Sequence, residues 1–218
     1  MKVSVSILSS TIKASDIVKK LDSTNCDYIH LDIMDGKFVE NKTWTYSEVK
    51  KIVSYSNKLL DVHLMVEKPE KYIEDYALLN TDRITFHYEA VKDIDSMIEL
   101  IENYGLKVGI AINPDTDVSV VFPYLSKVDQ ILVMGVYPGK SGQSFIETTP
   151  ERIRAIKEEI NNQGLNTLLS VDGGINYDTA ILCKEAGVDI LVSATYLHNN
   201  LKENIDILKN LPEENYEW

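Results

Sequence analysis

The sequence predicts an α/β fold, a single (β/α)8 TIM barrel over residues 1–218, and three observations predict it. Eight short runs rich in Val, Ile and Leu recur along the chain, each followed by a stretch with helical periodicity. Most of these runs are near-continuously apolar rather than alternating, as parallel strands covered on both faces must be. No Pro/Ser-rich linker, charge block or low-complexity tract divides the 218 residues, a length that one barrel can occupy.

The expected strands are Val3–Leu8, Tyr28–Ile33, Leu60–Val66, Arg83–Tyr88, Lys107–Ile112, Gln130–Gly135, Thr167–Val171 and Ile190–Ala194. Between them, amphipathic helices are expected over Ser15–Ser23, Ser47–Ser56, Glu70–Leu79, Asp95–Tyr104, Glu151–Asn162 and Tyr177–Glu185. Glycines close several of these, as in Tyr104-Gly105 and Ala186-Gly187, where a left-handed residue ends a helix without steric cost. Alternating strands and helices make parallel β-α-β units, and eight in so short a chain favour closure over an open sheet. The tail Leu211–Trp218 is acidic and is expected to fray or dock loosely.

Bulk composition narrows the function classes. The formal net charge is −12, from 34 acidic and 22 basic side chains. That balance argues against nucleic acid and anionic membranes as partners. No apolar run approaches the ~20 residues of a membrane span. The run Met1–Leu8 is too short and polar for a secretory signal, so a cytoplasmic protein is expected. Cys26 and Cys183 have no Cys or His nearby at metal-ligand spacing and read as reduced, partly buried thiols.

In such a barrel, polar residues at strand C-termini face the mouth and read as chemistry. The second strand ends His30-Leu31-Asp32-Ile33-Met34, and period two puts His30, Asp32 and Met34 on one face. The third carries Asp61-Val62-His63-Leu64-Met65, the fourth ends Phe86-His87-Tyr88-Glu89, and the seventh Val171-Asp172-Gly173-Gly174. A lone strand histidine is usually satisfied by one hydrogen bond. Here three of four histidines fall at strand ends, and His30, His63, Asp32 and Asp172 form a plausible set for a divalent ion such as Zn, Fe or Mn. Met34, Met65 and Met134 also fall at strand ends, where they would line a pocket rather than only fill a core.

Two loops suit a phosphate. Val136–Gln143 follows the sixth strand and Asp172–Ile175 the seventh, and their glycines let backbone N–H groups close on an anion. Gly139-Lys140-Ser141 is not a nucleotide-binding P-loop. The required spacing would need a glycine where Met134 stands, and Gly135 is one residue too close.

With these segments in view, the sequence resembles the ribulose-phosphate 3-epimerase family over nearly its full length. The matching segments are Ser6–Ser9, His30–Val39, Asp61–Val66, Asn113–Thr116, Val133-Met134 with Pro138-Gly139 and Gln143–Phe145, and Val171–Ile175. The resemblance implies one divalent metal ion held by His30, Asp32, His63 and Asp172, with Asp32 and Asp172 as the acid/base pair. It implies that Ser6, His63, Met34, Met65 and Met134 meet the substrate. It places phosphate on Gly139, Lys140, Ser141 and Gly142, on Gly173 and Gly174, and on Ala194 and Thr195. It also suggests a homo-oligomer. The chain departs from the family at Lys140-Ser141 (usually Phe-Gly), Ala194-Thr195 (usually Gly-Ser), Glu40 (usually Pro) and Lys42–Tyr46. None of these removes a metal or acid/base residue; they fall on the phosphate cup and on the loop over the substrate.

The expected activity is therefore C3 epimerisation of a sugar phosphate, D-ribulose 5-phosphate to D-xylulose 5-phosphate. The closest alternative is the same reaction on a hexulose phosphate such as D-allulose 6-phosphate. A related barrel lyase is disfavoured because those relatives place a lysine two residues after the strand-end aspartate, where this chain has Met34. A phosphosugar-binding barrel without catalysis would not need the His30/Asp32/His63/Asp172 set.

Overall fold

A computed structural model describes residues 1–9 and 11–212. Eight parallel strands close into a barrel in sequence order: β1 (Lys2–Ser6), β2 (Tyr28–Met34), β3 (Leu59–Met65), β4 (Thr81–His87), β5 (Lys107–Ile112), β6 (Gln130–Met134), β7 (Leu168–Asp172) and β8 (Ile190–Ser193). Closure is made by β1 on β8, with Lys2 opposite Ile190. Each strand coincides with an expected one to within two residues at either end.

The helices are α1 (Ala14–Leu21), α2 (Tyr46–Val53), α3 (Ile73–Ala77), α4 (Ile94–Glu102), α5 (Thr149–Asn162), α6 (Tyr177–Glu185), α7 (Thr195–Asn199) and α8 (Leu201–Lys209). Helix α2 starts on a reciprocal capping box between Thr45 and Glu48. The expected Glu70–Leu79 helix is instead a 3-10 turn at Pro69–Lys71 followed by the short α3. Between β5 and β6 a 3-10 run covers Val118–Lys127, and Pro123 inside it cannot donate the bond an α-helix needs there. Of the tail, Leu211 and Pro212 are described, their carbonyls taking the Lys184 ammonium at 2.9 and 2.8 Å; residues 213–218 lie outside the described residues.

Two different interiors follow from the strand period. Outward residues such as Ile29, Leu31 and Ile33 pack against the helices in one large apolar layer. The lumen holds a small apolar plug, Ala111, Leu132, Met134, Val136 and Val192. Below it, buried polar side chains fill the barrel, including Ser4, Asp61, Arg83 and Gln130. The Arg83 guanidinium donates to Gln130 at 2.5 Å and Asp82 at 2.7 Å and lies over the Tyr28 ring, 4.7 Å from its centroid. This polar floor supports the residues at the mouth.

Candidate active site and metal centre

At the C-terminal mouth β2 presents His30 and Asp32, β3 presents His63, and β7 presents Asp172. One donor atom from each of the four lies within 4.8 Å of all the others. His30 Nε2 is 3.5 Å from Asp32 Oδ1 and 3.6 Å from Asp172 Oδ2. His63 Nδ1 is 3.4 Å and 3.5 Å from the same two oxygens, and the two nitrogens are 3.4 Å apart. Donors about 2.1 Å from a shared ion in a tetrahedral site stand about 3.4 Å from one another. Both the spacing and the mixed N/O donor types therefore fit a divalent cation.

The site's electrostatics ask for positive charge. Burial alone would lower the proton affinity of His30, but Asp32 and Asp61 outweigh it and raise its pKa well above the ordinary value. His63 behaves alike: burial is outweighed by Asp172 and Asp32. For Asp32 burial would raise the pKa, yet His30 and His63 hold it below the usual carboxylate range. Two carboxylates facing two imidazoles out of solvent need protons or a metal ion between them.

Behind each imidazole stands a partner that fixes its orientation. His30 Nδ1 meets Asp61 Oδ2 at 2.9 Å, and the Ser4 hydroxyl donates to that same oxygen at 2.9 Å. With its Nδ1 proton given to Asp61, His30 is left with Nε2 as the nitrogen it could offer an ion. His63 Nε2 meets His87 Nε2 at 2.8 Å, and His87 Nδ1 meets Glu89 Oε2 at 3.2 Å. Burial pushes the His87 pKa down to about 4. Sequence reasoning assigned no role to Asp61, His87 or Glu89. The signal was available: Asp61 precedes His63 by two residues on the same strand face, and Glu89 follows His87 by two.

Above the donors opens a cavity of about 300 Å³. Asp32, Asp172 and Ser6 line it together with Met34, Met65 and Met134. Ser6 donates its hydroxyl to Asp32 Oδ2 at 2.7 Å. Met34 and Met65 are register partners on β2 and β3, while Met134 is opposite Asp172. His30 and His63 are wholly buried.

The far wall brings together the three glycine-loop segments picked out in the sequence: Gly139–Gly142, Gly173-Gly174 and Ala194-Thr195. Gly174 has φ +69°, and a Cβ there would stand 2.7 Å from the Phe145 Cα, so only glycine lets the two loops pack this closely. At the start of α6 the Asn176 side chain already accepts from the Thr179 N–H. Ala194 at the start of α7 makes no side-chain cap. Trp44 and Tyr46 do not cover this cavity. They line a separate groove beside β2 and β3, where Tyr46 packs edge-on against Tyr76 with ring centroids 5.9 Å apart.

The profile of the ribulose-phosphate 3 epimerase family matches residues 2–198. The chain belongs to this family. A ribulose-phosphate 3-epimerase of Bacillus subtilis is 37% identical over 213 residues, covering 96% of this chain and 98% of that one. One from Chlamydia pneumoniae is 40% identical over 181 residues, covering 82% and 79%. The chain is accordingly an isomerase of the ribulose-phosphate 3-epimerase type, acting on carbohydrates. Solved structures agree on the barrel alone. KGPDC from Streptococcus mutans superposes with a TM-score of 0.67 at 15% identity, covering 96% of this chain and 95% of that one. Phosphoribosyl anthranilate isomerase from Thermus thermophilus gives 0.65 at 11% identity, covering 97% and 100%. Among the described residues of this epimerase, no helix is long and apolar enough to cross a membrane.

Proposed function

We propose that this epimerase interconverts D-ribulose 5-phosphate and D-xylulose 5-phosphate, with one divalent ion (zinc, iron or manganese) held by His30, Asp32, His63 and Asp172. The observation that carries the reading is the placement of Asp32 and Asp172, which flank the same two imidazole nitrogens from different strands and open onto one cavity. Epimerisation takes a proton from one face of C3 and returns one to the other, so it needs two proton carriers on opposite sides of the carbon.

Asp32 turns Oδ1 to the imidazoles and shares Oδ2 with the Ser6 hydroxyl, which keeps that oxygen at the cavity wall for proton exchange. Asp172 turns Oδ2 to the imidazoles, leaving Oδ1 for the substrate. In one direction Asp32 removes the C3 proton and Asp172 delivers its own to the other face; in the reverse direction the roles exchange. The bound ion would supply Lewis-acid stabilisation of the negative charge that builds on the sugar oxygens once the proton leaves. Met34, Met65 and Met134 wall the reacting carbon with groups that neither donate strongly nor exchange protons, so the two carboxylates remain the proton carriers at hand.

The phosphate is held by backbone N–H groups of the loops at Gly139–Gly142, Gly173-Gly174 and Ala194-Thr195, with Lys140 adding a cation where the protein as a whole carries −12. Testing the reading takes a coupled assay on metal-reconstituted protein, with ribulose 5-phosphate and allulose 6-phosphate at equal concentration. A clear kcat/KM preference for the pentulose is expected. A preference for the hexulose would overturn the substrate assignment, and silence on both with the ion bound would overturn the reaction.

A further inference from the structure

We infer that His87 and Glu89 form a proton-ordering relay that sets the tautomer of His63, making both of them positioning residues for the metal centre. The inference rests on the metal reading above.

The relay begins at Glu89. One of its oxygens accepts from the Asn113 N–H at 2.8 Å and from the Thr116 hydroxyl. The other faces His87 Nδ1 at 3.2 Å. An ionised carboxylate only accepts, so the His87 proton must sit on Nδ1. The 2.8 Å contact between His87 Nε2 and His63 Nε2 holds one proton, and with His87 Nδ1–H given to Glu89 that proton falls to His63, the arrangement that leaves both rings neutral once an ion takes His63 Nδ1. With its Nε2 proton given to His87, His63 has only Nδ1 to offer an ion, and that nitrogen is the one that faces Asp32, Asp172 and His30. Each bond fixes the next, from a backbone N–H on the β5 side to a ligand nitrogen in the site.

Packing holds the ring in place. His87 is wholly buried, stacked on His63 at 5.0 Å between centroids and tilted against Phe38 at 4.8 Å. Phe38 belongs to the loop after β2, so the strand that supplies His30 and Asp32 also braces the support of His63. The two imidazoles are thereby backed differently. His30 leans on a carboxylate, Asp61, whereas His63 leans on a neutral ring that passes the demand on to Glu89.

Glu89→Gln separates this relay from a merely structural contact, because it keeps the shape and reverses the order. The amide oxygen can keep the bonds from Asn113 and Thr116, which turns the NH2 group toward His87 Nδ1. His87 then accepts at Nδ1, carries its proton on Nε2 and forces the His63 proton onto Nδ1, where the metal would bind.

The test uses full-length wild type, E89Q, H87L and H87Q labelled with 15N in the histidine rings. Zinc affinity is measured by competition with a chromophoric chelator, and the His63 ring is read by long-range 1H–15N spectra with and without zinc. In zinc-loaded wild type His63 should be bound through Nδ1 with the proton on Nε2. E89Q should bind zinc roughly 10–100-fold more weakly, the usual effect of losing an outer partner of a ligand, and without zinc should show the proton between the two rings moved from His63 Nε2 to His87 Nε2. H87Q, whose amide oxygen can still accept from His63 Nε2, should recover much of the affinity that H87L loses. If H87L does not fold, the wild-type and E89Q spectra still decide. E89Q that binds zinc like wild type with an unchanged His63 proton would overturn the relay. Wild type that binds no zinc would overturn the metal reading, and the relay with it.

Discussion

Asp32 and Asp172 come from strands separated by β1 and β8 in the closed barrel, yet each places one oxygen within 3.6 Å of both His30 Nε2 and His63 Nδ1. If they are the two proton carriers, removing either should cost most of the turnover while the fold survives. Asp172→Asn is expected to lower kcat by a factor on the order of 10²–10⁴, the usual worth of a positioned acid or base. Circular dichroism should show the wild-type fold. Wild-type activity in this variant would sink the two-carboxylate scheme.

Removing the ion gives an independent check. Dialysis against a chelator should abolish activity, and adding back zinc, iron or manganese should restore it. An ion that binds only the native state also stabilises it, by about 2.7 kcal/mol at 100 times its Kd. The melting temperature should therefore fall on chelation and recover on reloading. An unchanged melting temperature and full activity after verified metal removal would contradict the His30/Asp32/His63/Asp172 assignment.

How far the sequence alone reached depends on what each feature requires. The β2 pattern His30-Leu31-Asp32-Ile33-Met34 was legible because strand period two is local, and one parity of residues must share a face. The convergence of Asp172 on His30, Asp32 and His63 was not local; it came from the eight-strand rhythm and from the family resemblance. Helix α8 and the 3-10 run at Val118–Lys127 went unread, the latter because Pro123 interrupts any α-helical period. The supporting layer of Asp61, His87 and Glu89 was least visible. Its meaning lies in which nitrogen meets which oxygen, and spacing does not encode that.

Lys140 lines the cavity between Gly139 and Gly142. Lys140→Ala should raise KM for the phosphorylated substrate several-fold and leave kcat nearly unchanged, the pattern of lost uniform binding. Inorganic phosphate should also inhibit the variant more weakly. Unchanged KM and phosphate inhibition would remove Lys140 from the phosphate cup.

The buried cation in the floor is a stability element. The Arg83 side chain is 1% exposed and its Nε stands 4.0 Å from Asp61 Oδ1. Arg83→Met would leave Asp61 facing the lumen without that cation. Breaking such a pair on one side costs about 3–5 kcal/mol, to be read by urea unfolding. A loss below about 1 kcal/mol, within the range of an exposed ion pair, would show that Asp61 is balanced by His30 and Ser4 alone.

Acid should expose the Glu89 contacts. Burial would raise the pKa of this carboxyl from 4.5, but hydrogen bonds from His87, Thr116 and Asn113 pull it down to about 2. A carboxyl depressed on folding contributes stability that is fully present above its unfolded pKa and is lost as pH falls toward the folded value. Between about pH 5 and pH 2, wild type should therefore lose more stability than Glu89→Gln, as measured by urea unfolding across that range. Parallel curves for the two proteins would contradict the depressed pKa.

The most direct test of the whole account is to incubate the zinc-reconstituted protein with D-ribulose 5-phosphate in D2O and follow the C3 proton by NMR. Two carboxylates exchanging protons at opposite faces predict that the C3–H signal is lost to deuterium while D-xylulose 5-phosphate accumulates. No exchange at C3 and no xylulose 5-phosphate, from folded protein with its ion bound, would contradict it.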